Sequence, residues 1–130
     1  MEKNLKKSTE HIKKHRNVHM ATVGLDNNPN CRVMYTARVD EDDNLWFATH
    51  TESDKMAELA KNPTCVITSW ADNEYVHLTG EVEKVDDLKT KEELWEDDWS
   101  MYFPRGKNDP AYTLVKVKVR NAEFAAMPHS

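Results

Sequence analysis

Several things are scarce in this 130-residue chain, and each scarcity excludes a class of function. There are two cysteines, Cys31 and Cys65, far apart and without a CxxC pair, so neither a zinc site nor a redox dithiol is written here. Both fall in strand-like segments, where a free thiol serves as a small buried hydrophobe, a reading preferred over a disulfide. No run approaches the roughly 18 apolar residues that a membrane-spanning helix needs. The opening segment MEKNLKKSTEHIKKHRN also lacks the apolar centre of a signal peptide, so a cytoplasmic protein is expected. A sustained basic face is missing as well. The net charge is -5, and residues 1–16 hold six Lys or Arg against Glu2 and Glu10, a balance of +4 that leaves -9 for the remainder. An acidic body of that kind excludes nucleic acid as the main partner, because phosphate backbones demand sustained positive charge.

What is present describes one highly charged folded domain, residues 1–130, with 38% hydrophobic and 32% charged residues, long enough to bury a real core. Residues 1–16 form a basic helix whose apolar stripe is thin, Leu5 and Ile12 beside Ser8 and Thr9. That pattern suits a solvated helix lying on the body better than a membrane-surface or polynucleotide-binding arm. His11 and His15 stand at i and i+4, but with no adjacent acidic ligand they read as surface residues, and no metal is expected.

Beyond residue 16 the apolar period becomes two. Residues 18–24, 31–39 and 45–48 alternate and read as an antiparallel meander, separated by the turns LDNNPN and DEDDN. Counted from Asp40, the second turn lacks the glycine and glutamate of a calcium loop and reads as a solvated hairpin tip. A helix beginning near Asp54 stops at Asn62-Pro63, and strands follow over 64–70 and 75–85, the second long enough to pair on both edges. DDLKTKEELWEDDW has helical spacing through Leu88, Leu94 and Trp95 and predicts a continuation to Tyr102. After FPRGKNDP comes a last strand, TLVKVKV. About six antiparallel strands with three helices close best as a small barrel whose helices cover its ends.

One position resists a purely local explanation. In FATHTESDKMAEL, Lys55 sits in the first turn of a helix, where the dipole disfavours a cation by roughly 0.3–1 kcal/mol. Either the lysine is neutralised locally or an anion belongs beside it. The bland alternative is an ordinary cap, with Thr51 and Asp54 as a capping box.

The succession MATVG, CRVMYTARVD, LWFATHTESDKMAEL and YVHLTGEVEKV resembles the FMN-binding split barrel of the pyridoxamine 5'-phosphate oxidase superfamily. It is most similar to the small general stress protein branch, whose chains share this length and a late Trp-rich helix leading into Phe-Pro-x-Gly. The resemblance spans roughly residues 5–124. It implies a mainly β fold with peripheral helices, a split barrel of Greek-key type, binding FMN in a cleft between two identical chains. It also implies an oxidoreductase acting on a small substrate; the alternatives are a flavin-binding stress protein without turnover and a related barrel holding haem or a deazaflavin. Pyridoxamine phosphate oxidase proper is disfavoured, since the basic C-terminal segment of those enzymes is missing. By the same resemblance, Thr49, Ser53 and Lys55, with His50 and Thr51 in the same stretch, hold the flavin phosphate. Arg32 opens a segment whose Val33, Met34 and Tyr35 present backbone groups to the ring edge. Tyr75 stands where the oxidases have a glutamine, and Trp99, in the late aromatic group, covers the ring of the flavin held by the partner chain. His77 is a strand residue with no orienting partner, and no catalytic residue is assigned. The chain departs from the pattern at Asp54, where the oxidases carry arginine, and at AEFAAM, where the branch ends on tryptophan.

Overall fold

Alternating burial marks each strand as a sheet element with one face inward. In β1 (Asn17–Val23) Val18, Met20 and Thr22 are buried, and in β4 (Leu45–His50) Leu45, Phe47 and Thr49. The structure, a computed structural model, describes residues 1–128. The remaining elements are α1 (Glu2–Lys14), β2 (Pro29–Tyr35), β3 (Arg38–Val39), α2 (Asp54–Lys61), β5 (Thr64–Ala71), β6 (Glu74–Val85), α3 (Leu88–Leu94) and β7 (Tyr112–Ala126). Short 3-10 turns cover Asp97–Met101 and Gly106–Asn108. All seven strands belong to one antiparallel sheet, ordered β2-β1-β5-β6-β7-β4-β3.

That order makes a barrel necessary. β2 and β3 lie at opposite ends of the sheet, yet only Thr36 and Ala37 join them. The Thr36 amide donates to the Arg16 carbonyl at 2.7 Å, beside β1, and the next amide, Ala37, donates to the Trp46 carbonyl at 2.8 Å, in β4. Two residues can span the whole sheet only if it curls until its edges meet. The alternating run over 31–39 is therefore two strands, and the count is seven where the pattern suggested six. The expected meander is also corrected: β4 pairs with β3 and β7, not with β2. As expected, β6 pairs on both sides, with β5 and β7.

Inside the barrel, Ile12, Met20, Leu45, Phe47, Ile67, Leu78 and Val117 are sealed from solvent, each burial contributing about 1.5–3 kcal/mol. Where β6 meets β7 the register shifts at Thr79/Gly80, and a Cβ on Gly80 would stand 2.7 Å from the Lys118 carbonyl oxygen. Only glycine lets the two backbones pass there. The Asp72–Asn73 turn between β5 and β6 has φ of 53° and 61°, the double positive-φ turn that suits a right-twisted hairpin.

Four local expectations are corrected. His11 is buried, its Nδ1 2.8 Å from Glu74 Oε1 and its Nε2 2.8 Å from Ser69 Oγ, while His15 Nε2 lies 2.7 Å from Asp72 Oδ2. These histidines fasten α1 to the β5–β6 hairpin. The acidic turn is not wholly solvated, since Asp43 is buried, accepts from Thr9 Oγ1 at 3.1 Å and pairs with Lys6 at 2.7 Å. Cys65 is buried, its thiol pushed up to about 12 by burial, but Cys31 is exposed on the outer side of the edge strand β2. Finally, α3 ends at Leu94, because Trp95 (ψ 134°) leaves the helix to set its indole edge-on against Trp99 and Tyr112.

Candidate functional site

α2 starts at Asp54 with Ser53 as its N-cap residue, yet no side chain caps it. The capping box of Thr51 and Asp54, the alternative to an anion site, does not form. The Thr51 hydroxyl donates to the Pro110 carbonyl at 2.9 Å and lies 2.5 Å from Thr113 Oγ1, tying the loop to the start of β7. Free amides and the positive dipole end therefore remain at this helix start.

Lys55 is half-buried beside them. Its ammonium donates to Thr49 Oγ1 and, at 3.2 Å, to Ser53 Oγ, and no carboxylate among the described residues pairs with it. Burial, and then the nearby positive charge of Arg32, hold its pKa below the usual lysine value. Of the two readings that Lys55 posed, local neutralisation is thus not what this structure shows.

Arg32 points away from the cavity. Nη1 donates to Thr22 Oγ1 at 2.7 Å and to the Met20 carbonyl at 3.4 Å, and Nη2 donates to Glu58 Oε1 at 3.2 Å. Glu58 is 5% exposed. It also accepts from Thr22 Oγ1 at 2.6 Å and Asn30 Nδ2 at 2.5 Å. Thr22 above all, then Asn30 and Arg32, keep this carboxyl below its usual range despite burial. Sequence reasoning missed Glu58, although its position three residues after Lys55 places both on one helix face.

Lys55 lies at one end of a cavity of about 390 Å³. β2 contributes Val33, Met34 and Tyr35, β4 contributes Ala48, Thr49 and His50, and the late segment adds Trp99, Tyr102 and Phe103. The His50 ring stacks on Phe103, centroids 5.1 Å apart, and its Nε2–H donates to the Tyr102 carbonyl at 3.2 Å. Behind the wall, Trp95, Trp99, Phe103 and Tyr112 form one aromatic cluster.

Of the residues singled out from sequence, Val33, Met34, Tyr35, Thr49, His50, Lys55 and Trp99 line this cavity, and Ser53 reaches it through Lys55. Arg32, Thr51 and Tyr75 do not line it. Tyr75 sits on β6, in register with Trp70 and Ala125 and 6.4 Å from the His77 ring. The AEFAAM segment pairs along the start of β6 and forms no wall of this cavity. The added lining residues are Ala48, Tyr102 and Phe103; the late aromatics were visible in sequence, but their place beside β4 depends on the long-range β4–β7 pairing. Chemically, the cavity has a cationic, hydroxyl-rich end at a helix start and an apolar, aromatic body. Such a shape takes a planar ligand carrying an anionic tail.

Known proteins share this arrangement of elements. Comparison with curated proteins finds no match. A Clostridium acetobutylicum protein related to general stress protein 26, of the pyridoxinephosphate oxidase family, superposes with a TM-score of 0.82 at 28% identity, over 97% of this chain and 90% of that one. General stress protein 26 of Bacillus anthracis gives 0.80 at 24%, over 95% and 98%. The general stress FMN/FAD binding protein of Xanthomonas citri gives 0.83 at 18%, over 100% and 93%; these last two likenesses concern the fold. The family model described as pyridoxamine 5'-phosphate oxidase like matches residues 3–130, and the chain belongs to that family.

Proposed function

We propose that this protein binds FMN and works as a cytoplasmic oxidoreductase on a small substrate, as a homodimer with the flavin at the interface. The observation that carries the reading is Lys55, a half-buried ammonium without a carboxylate partner among the described residues, beside an uncapped helix start and at the end of an aromatic-walled cavity. The donor set fits the group. Lys55, Thr49, Ser53 and the first amides of α2 offer charge-assisted and neutral hydrogen bonds to a phosphate. β2 has only β1 beside it in the ladder, so alternate peptide groups of its 33–35 segment are open to the polar edge of a ring. Trp99 and Tyr102 supply flat apolar surface that excludes water.

When bound, the flavin would supply the redox chemistry, and the protein positions and tunes it. Val33 and Tyr102 are each 62% exposed, Trp70 59% and Tyr35 41%. Apolar exposure of that extent, with Val33, Tyr35 and Tyr102 on the cavity itself, suits a face covered by a second copy. The free cysteines fit a reducing compartment.

The absorbance spectrum of the freshly purified protein tests the cofactor: flavin bands support the reading, while haem or deazaflavin bands, or none after FMN is added, overturn it. A second reading, flavin held without turnover, draws on His50, whose ring is stacked and hydrogen-bonded as part of the wall. Anaerobic mixing with NADH or NADPH separates the two: rapid bleaching supports the oxidoreductase, indifference to both supports the carrier.

A further inference from the structure

Two cations stand near one another, Lys55 in the cavity and Arg32 outside it, and the structure treats them differently. Among the described residues, Lys55 donates to two hydroxyls, Thr49 and Ser53, and to no carboxylate. Arg32 lies near enough for its charge to act on Lys55, yet its guanidinium is turned toward Glu58 and Thr22. Glu58 is buried and held by three donors from β1 and β2, Thr22, Asn30 and Arg32. A charge so placed does not reorganise easily, because each donor would lose a buried partner.

We infer that Glu58 is a specificity-determining residue: by claiming Arg32 as its own counterion, it limits how strongly the site holds phosphate charge. The inference rests on the flavin reading of the cavity. A phosphate beside Lys55 feels the ammonium in full, but it feels Arg32 and Glu58 as a nearly cancelling pair. The site thereby binds a phosphorylated flavin without the grip that two unpaired cations would exert. Asp54, exposed in the first turn of α2, lowers the local charge further. Glu58 does not line the cavity; it acts through Arg32, and the ring of the ligand should not sense it.

The test is a charge cycle among wild type, Glu58→Gln, Arg32→Gln and the double variant, each titrated with FMN and with riboflavin. Glutamine keeps the shape of Glu58 and can still accept from Thr22, but leaves the Arg32 charge uncompensated. Glu58→Gln is expected to tighten FMN roughly 5- to 30-fold, the scale of one unit charge several ångströms away at intermediate dielectric, with riboflavin unchanged. Arg32→Gln is expected to weaken FMN alone. The double variant, neutral at both positions, is expected to return to within about 3-fold of wild type, as a coupled pair should. Unchanged FMN affinity in Glu58→Gln, or equal changes for FMN and riboflavin, overturns the inference. If Glu58→Gln folds poorly by circular dichroism, the double variant decides: near-wild-type FMN affinity supports the inference, and a loss equal to that of Arg32→Gln overturns it. If wild type binds neither flavin, the flavin reading itself has failed. The same variants are then followed by thermal stabilisation with inorganic phosphate, where a larger shift in Glu58→Gln than in wild type supports the inference and equal shifts overturn it.

Discussion

Lys55→Ala removes an ammonium that donates to Thr49 and Ser53, and is expected to weaken FMN binding about 10- to 150-fold, the equivalent of a charge-assisted bond of roughly 1.5–3 kcal/mol. Riboflavin has the ring without the phosphate and should be indifferent; equal losses for both ligands in calorimetric titration would remove the phosphate role. The same residue sets a pH dependence. Burial first, then Arg32, lower its pKa from 10.5, so between the lowered value and 10.5 the unfolded chain carries the extra proton. Linkage then makes this residue's contribution to the stability of the ligand-free protein rise with pH across that window, while FMN affinity falls as the ammonium is lost. Alkaline FMN titration of wild type against Lys55→Ala checks this, since the variant should lack the fall. Lys55 was legible in sequence because a helix dipole is local. Arg32 was not, because its direction is set by Glu58, 26 positions away, and no periodicity reports such a pairing.

Among the elements, α1 is the one whose attachment the pattern understated. Ser8 and Thr9 looked like gaps in an apolar stripe; they are small enough to bring the helix close, and His11 then bridges Ser69 and Glu74. His11→Leu keeps the volume but leaves the buried Ser69 hydroxyl without its imidazole. It is expected to cost about 1–3 kcal/mol, read as a lower urea midpoint together with faster amide exchange along α1. Unchanged exchange there would show that the histidine does not hold the helix. Strand existence was legible from period two, and so was the stop at Asn62-Pro63. The division of residues 31–39 was not, since the alternation continues across Thr36 and Ala37 while the hydrogen-bond partners change. The end of α3 escaped for a similar reason: Leu88 and Trp95, seven apart, fit one helix face, but Trp95 turns into the aromatic cluster and helical structure resumes only as the 3-10 turn over Asp97–Met101.

For the whole molecule, exposed Val33, Tyr35, Trp70 and Tyr102 lead to an expected homodimer of twice 15.1 kDa. Light scattering at micromolar concentration with FMN present tests it, and a monomer alone would remove the interfacial site. The barrel itself was legible only in outline. Six or seven alternating strands imply closure, but the order in which they pair depends on contacts across most of the chain, and the resemblance to known barrels supplied only its Greek-key type.

The placing of β7 between β6 and β4 also has a consequence for synthesis. Until residues 112–126 have left the ribosome, β4 has only the two-residue β3 beside it and β6 has one bare edge, so the nascent chain carries open strand edges from the time β4 emerges until β7 has followed. A chain cut after Ala111 is expected to aggregate rather than fold, visible as loss to the pellet on expression, whereas the chain that retains β7 should stay in the supernatant. Shielding of those edges by the surroundings is therefore expected to govern the yield until β7 has been made.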